Sequence, residues 1–267
     1  MKKIIGLLIV LVVGGFAFWG YETFFSIDEV QGEDVYDVPA FSSLNRITYS
    51  PMGDSISNGA ITYRQDQRFI SVLADAISAY FNIEVNEMGV YKSGAKLSDL
   101  GISSVEQIKS QEPDFITIEY GTNDIKSYSG EESLTQFKAN LSYVITELQE
   151  KNRVIVLVTT WNRDEKISQL YDDVIIQTGE KYGVPVANIR ELWTERKDTI
   201  DPKSKNSYLG YSDKQLINDM HPNEFGHSEI ARVIFETVKD DLAEYINTPD
   251  VSVLGELFST TSISTVK

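Results

Sequence analysis

Pro113-Asp114-Phe115-Ile116-Thr117-Ile118-Glu119-Tyr120-Gly121-Thr122-Asn123-Asp124 is the stretch on which the fold of this chain turns. Its first eight residues, rich in aromatic and β-branched side chains, read as a strand that stops at Gly121. A polar cluster follows at once. Further along, Val154 to Val158 is short and continuously apolar, the mark of a strand covered on both faces. Between these two strands, Leu134, Phe137, Leu141, Val144, Ile145 and Leu148 share one face of a helix that begins near Ser133.

The same alternation extends in both directions. Upstream, Arg46 to Ser50 is β-prone, and Phe69, Val72, Leu73, Ala76, Ile77 and Tyr80 recur at helical spacing. Ile83 to Asn86 reads as a second strand. Downstream, Asp164 to Tyr182 reads as a helix and Val184 to Ala187 as a last strand. A final helix runs from about Asn223 to Ile246, with Ile230, Val233, Ile234, Val238 and Leu242 facing inward. Strands alternating with helices predict an α/β domain, a parallel sheet with helices on both faces. Ligands in such sheets bind at the carboxyl ends of the strands.

The ends of the chain read differently. Lys2 and Lys3 precede an uncharged, mostly apolar run from Ile4 to Gly20, closed by Tyr21. Two lysines before a membrane-length run predict a helix that leaves the rest of the chain outside. Residues 1–21 are therefore expected to be an uncleaved signal-anchor. A cleaved signal peptide, giving a secreted protein, is the competing reading, with Gly14-Gly15-Phe16-Ala17 as its nearest cleavage signal. Residues 22–43 are acidic and irregular and read as a linker, 44–246 as the catalytic domain and 247–267 as a tail.

Composition narrows the function classes. The 267 residues include 24 Lys and Arg against 40 Asp and Glu, a formal charge of −16. Lys2 and Lys3 account for two of the basic residues and no acid precedes Glu22, so the part beyond Tyr21 carries −18. A surface this acidic repels nucleic acid, which is not expected as a partner. The absence of cysteine excludes disulfides, thiolate nucleophiles and Cys-based zinc sites.

Four polar clusters follow strands or precede the last helix. Gly53-Asp54-Ser55 follows the first strand, and a serine there is a nucleophile if a base reaches it. Ser93-Gly94-Ala95-Lys96 offers a glycine N–H to a developing oxyanion. Asn123, at the end of the quoted stretch, can donate its amide hydrogens to the same oxyanion. Asn218-Asp219-Met220-His221-Pro222-Asn223 stands just before the last helix. His221 and His227 are the two histidines of the chain, and His221 sits in the turn from which it can project over the sheet edge. Each cluster alone is an ordinary turn, loop, helix cap or incidental histidine.

Together the four clusters resemble the blocks of the SGNH, or GDSL-type, serine hydrolases, in the family order. Ser55, Gly94, Asn123 and His221 occupy the four named positions, and Gly226-His227 entering a helix is also family-like. The resemblance implies a flavodoxin-like three-layer sandwich, no cofactor or metal, and ester hydrolysis in two displacements. Ser55 would attack the acyl carbonyl, His221 would take its proton, and Ser55 N–H, Gly94 N–H and Asn123 would hold the oxyanion.

Two departures accompany this likeness. Gly89 competes with Gly94, because Val90-Tyr91-Lys92 stretches the second block. The family usually carries Asp three residues before its histidine, where this chain has Asn218. Asn218 can orient the imidazole but does not stabilise imidazolium as a carboxylate does; Asp219 is the other candidate for that place. The expected substrate is a small acyl ester such as acetyl on a glycan. A lysophospholipase or short-chain lipase, an acyltransferase and a surface binding protein with a weakened triad are the competing readings. A metal-dependent phosphoesterase built on Asp54, Asp124 and His221 is more remote, since His-rich ligand spacing is missing. Neither the acyl chain length nor the oligomeric state is legible.

Overall fold

A computed structural model of the protein describes residues 45–150, 152–161, 163–200 and 220–247. The expected anchor and linker lie outside these, as do the tail beyond Asn247, which itself ends the last helix, and Asn218 and Asp219. Among the described residues, no helix is long and apolar enough to cross a membrane.

The chain forms an α/β fold around one parallel sheet. Its first strand is interrupted: β1 (Arg46–Tyr49) and β2 (Met52–Gly53) are separated by Ser50-Pro51. Helix α1 (Phe69–Phe81) follows and ends on Asn82, in the left-handed conformation that Asn tolerates. The second strand is interrupted too, as β3 (Glu84–Glu87) and β4 (Val90–Tyr91). A short helix α2 (Val105–Lys109) leads to β5 (Phe115–Glu119), and α3 (Glu131–Leu148) to β6 (Val154–Val158). Then come α4 (Glu165–Tyr182), β7 (Val186–Ala187), α5 (Glu191–Thr194) and α6 (Glu224–Asn247). Asp164 caps α4 by accepting from Lys166 N and Ile167 N, and Gly183 ends it with φ +65°.

All pairings are parallel. β1 pairs β3 and β5, β2 pairs β4 and β5, β5 pairs β6, and β6 pairs β7. With each interrupted strand counted as one, the spatial order is second, first, third, fourth, fifth. Ile116, Ile118, Ile155 and Leu157 face a core with Val105, Leu134, Phe137, Leu141 and Ile175 from α2, α3 and α4. The intervening residues of β5 therefore point to the other face, where α1 and α6 pack against each other. Tyr49 stacks on Phe115 there, with ring centroids 4.9 Å apart.

The periodic elements form where their patterns predict them. Met52-Gly53, read as a turn, is instead a strand wedged between β4 and β5, and Val90-Tyr91, read as loop, is its edge partner. Two-residue strands carry no periodicity; only their ladder partners define them.

Candidate active site

The first block is shaped by a close backbone approach. A Cβ on Gly53 would lie 2.0 Å from Ser57 Oγ and 2.7 Å from Glu119 Oε2, so only glycine fits at the end of β2. Residues 54–60 then wind through one tight turn, with Asn58 N donating to Asp54 O and Ala60 N to Ser55 O. Ser55 is left at its head, 5% exposed.

His221 reaches this serine from the far end of the chain: its Nε2 lies 2.7 Å from Ser55 Oγ. Trp161 helps to hold it there. This buried side chain follows β6 and donates its indole N–H to Met220 O at 2.7 Å, one residue before His221. The Trp161 backbone N–H meets Thr122 Oγ1 at 2.9 Å, one residue before Asn123. A single tryptophan thus ties the third block to the fourth.

Asn123 is buried beside the serine turn. Its Nδ2 donates to Asp54 Oδ2 at 2.7 Å, and Arg163 Nη2 approaches its Oδ1 at 3.5 Å. Asp54 also accepts Ile56 N at 2.9 Å. Burial raises Asp54 above its usual range, opposed by the Ile56 N–H and by the charges of His221 and Arg163.

The second block lies alongside. Asn58 Nδ2 donates to Ser93 Oγ at 3.2 Å, tying the serine turn to the Lys92–Ala95 turn. Gly94 is exposed at φ +82°, with open space where a side chain would stand. Gly89 packs against Pro51 instead, and its N–H is taken by Gln111 Oε1 at 3.0 Å. The Gly89 N–H is therefore committed to Gln111. A cleft of mixed polar and apolar lining, which includes Lys96, Asp124, Glu132, Gln136, Phe137 and Tyr171, lies next to Asn123 in sequence but is lined by none of Ser55, Gly94, Asn123 and His221. Burial pushes the Asp124 carboxyl up to about 6.

The metal-site reading required Asp54, Asp124 and His221 to face one point. Asp54 is instead committed to Ile56 N and Asn123, and Asp124 Oδ2 to Leu97 N at 3.2 Å. No cluster suited to a metal occurs among the described residues.

His227 is a packing residue. It is fully buried, stacks on Phe69 and accepts the Phe69 N–H on Nδ1 at 3.2 Å. Burial lowers it to about 3. Because the folded value lies below the unfolded value of about 6.5, its contribution is complete above that pH. It is lost as pH falls towards the folded value, at up to about 1.4 kcal/mol per unit. Urea unfolding between about pH 7 and 4 should show this slope in the wild type and its loss in His227→Gln. Equal slopes in the two proteins would rule the effect out.

Three residues of this region carried no recognised motif: Glu119, Trp161 and Arg163. Glu119 alone left a trace, a carboxylate inside an otherwise apolar strand.

Solved structures share this architecture. The crystal structure of TesA superposes with a TM-score of 0.56 at 14% identity, covering 73% of this chain and 99% of its own. Axe2, an acetylxylan esterase from Geobacillus stearothermophilus, gives 0.55 at 19% identity over 72% and 94%. EstA, a psychrotrophic esterase from Pseudoalteromonas sp., gives 0.55 at 18% identity over 74% and 99%. At such identities these likenesses establish the fold alone. No curated protein matches the chain. A family model does: that of the GDSL-like lipase/acylhydrolases matches residues 52–228, from the start of β2 to the first turns of α6 and so through all four blocks. The chain belongs to this family, the SGNH hydrolases, and is a carboxylic ester hydrolase.

Proposed function

We propose that the protein removes a small acyl group, such as acetyl, from a glycan outside the cell, through an acyl-enzyme on Ser55. The observation that carries this mechanism is the 2.7 Å contact between His221 Nε2 and Ser55 Oγ. His221 takes the Oγ proton as Oγ bonds to the acyl carbon. The oxyanion so formed meets Ser55 N–H, Gly94 N–H and the second hydrogen of Asn123 Nδ2. Collapse expels the alcohol, which takes the proton from His221, and water repeats the cycle to release the acid. Asn218 orients His221 in this reading. The buried Asp54 carboxylate, one residue before Ser55, supplies negative charge that an amide at position 218 lacks.

The acetylxylan esterase Axe2 among the proteins of the same fold supports a small acyl ester on a glycan as the substrate. The lysine-flanked apolar run at residues 1–21 supports placement outside the membrane, with 22–43 as spacer, 44–246 as the hydrolase domain and 247–267 as tail. Hydrolysis of p-nitrophenyl esters from acetate to palmitate by the full-length protein tests this reading. Turnover of acetate and butyrate, falling by at least about tenfold for longer chains, is expected. Preference for palmitate would replace the glycan by a lipid substrate. Absence of any turnover would leave a binding protein.

A further inference from the structure

Glu119 is the last residue of β5 and lies directly under the serine turn, 1% exposed. Its Oε2 accepts three hydrogen bonds from that turn: Asp54 N at 3.2 Å, Ser57 N at 3.3 Å and Ser57 Oγ at 2.9 Å. Its Oε1 is buried and meets no N–H or hydroxyl donor. Asp54, whose backbone N–H meets Glu119 Oε2, is itself fully buried.

Two adjacent buried carboxyls do not both ionise, so one of them holds a proton. The hydrogen bonds decide which. Both Asp54 oxygens already accept N–H groups, from Ile56 and from Asn123 Nδ2, and a proton there would compete with one of them. Glu119 Oε1 has no such donor to lose.

Resting on the Ser55–His221 chemistry above, we propose that Glu119 is a positioning residue that works as a neutral acid. Its Oε1–H donates to Asp54 while its Oε2 clamps the turn that carries Ser55. Burial and the neighbouring Asp54 charge both push Glu119 well above the usual carboxylate range, in keeping with this state. Asp54, fixed by three donors, in turn fixes the Asn123 amide so that its second hydrogen faces the reacting carbonyl. An ionised Glu119 would instead place a second buried negative charge beneath the developing oxyanion and oppose it.

Glutamine is the neutral isostere of the protonated acid, with one accepting oxygen and an NH2 group in place of the O–H donor. In the full-length protein, Glu119→Gln should keep kcat for p-nitrophenyl acetate within about fivefold of wild type, whereas Glu119→Ala should lose about fiftyfold or more with little change in KM. A loss in Glu119→Gln as deep as in Glu119→Ala would overturn the neutral-acid role.

A second measurement needs neither variant to fold. With glutamate labelled at its carboxyl carbon, the wild-type NMR spectrum at about pH 7 should retain one resonance at the protonated position. Complete ionisation of every glutamate at that pH would equally overturn the proposal. Failure of the serine mechanism is read separately, as wild-type turnover that survives Ser55→Ala, and leaves the NMR result unaffected.

Discussion

Ser55→Ala is expected to reduce kcat/KM for p-nitrophenyl acetate by about 10⁴ to 10⁶, close to the background of a binding cleft and an oxyanion hole. The expected loss is this large because the hydroxyl forms the covalent bond; without it, His221 has no proton to take and no acyl-enzyme can form. His221→Ala should cost nearly as much, and the double variant little more, because the two groups act as one unit. The folded state should be nearly untouched, since the contact of Ser55 Oγ is with His221 rather than with the core. Steady-state kinetics beside a thermal melt check this. Labelling of the wild type by a fluorophosphonate, mapped to Ser55 by mass spectrometry, gives an independent reading. A variant that still turns over at more than about a tenth of the wild-type rate would remove Ser55 from the mechanism.

Asn123→Ala should lower kcat by about 10² to 10³ and leave KM nearly unchanged. Its amide meets the oxygen most strongly once that oxygen carries negative charge, so the loss falls on the transition state and not on substrate binding. This substitution also has a structural cost that Ser55→Ala lacks. Asp54 Oδ2 would lose the donor that lies 2.7 Å from it, in a site closed to water, at about 1–3 kcal/mol. Lower melting temperature and lower kcat should therefore appear together in Asn123→Ala. A kcat within about tenfold of wild type, in a variant that melts lower, would make Asn123 a support for Asp54 and not an oxyanion donor.

The two substitutions separate what one line of sequence shows from what folding adds. Ser55 and Asn123 both stood in blocks whose order resembles that of the SGNH hydrolases, and the nucleophile assignment was what that resemblance implied. That Asn123 also holds Asp54 came only from the packed structure.

The sequence by itself determined the alternation of strands and helices, because burial repeats at helical spacing along α3, α4 and α6 and is continuous over the five residues of β5 and of β6, and both patterns are written locally. It also determined the four candidate blocks, since strand ends and helix starts are marked by Gly, Asn, Asp and Pro. Only the tertiary structure decided that Ser55 and His221 touch, that the Gly89 N–H is taken by Gln111, and that β2 and β4 are strands. The same holds for Glu119 and Trp161. A buried carboxyl and an indole N–H are defined by partners more than 50 residues away, Ser57 and Met220, and no pattern of neighbouring residues encodes such a partner. Periodicity records which face of an element is buried; the pairing of polar atoms across elements is fixed only when the chain closes on itself.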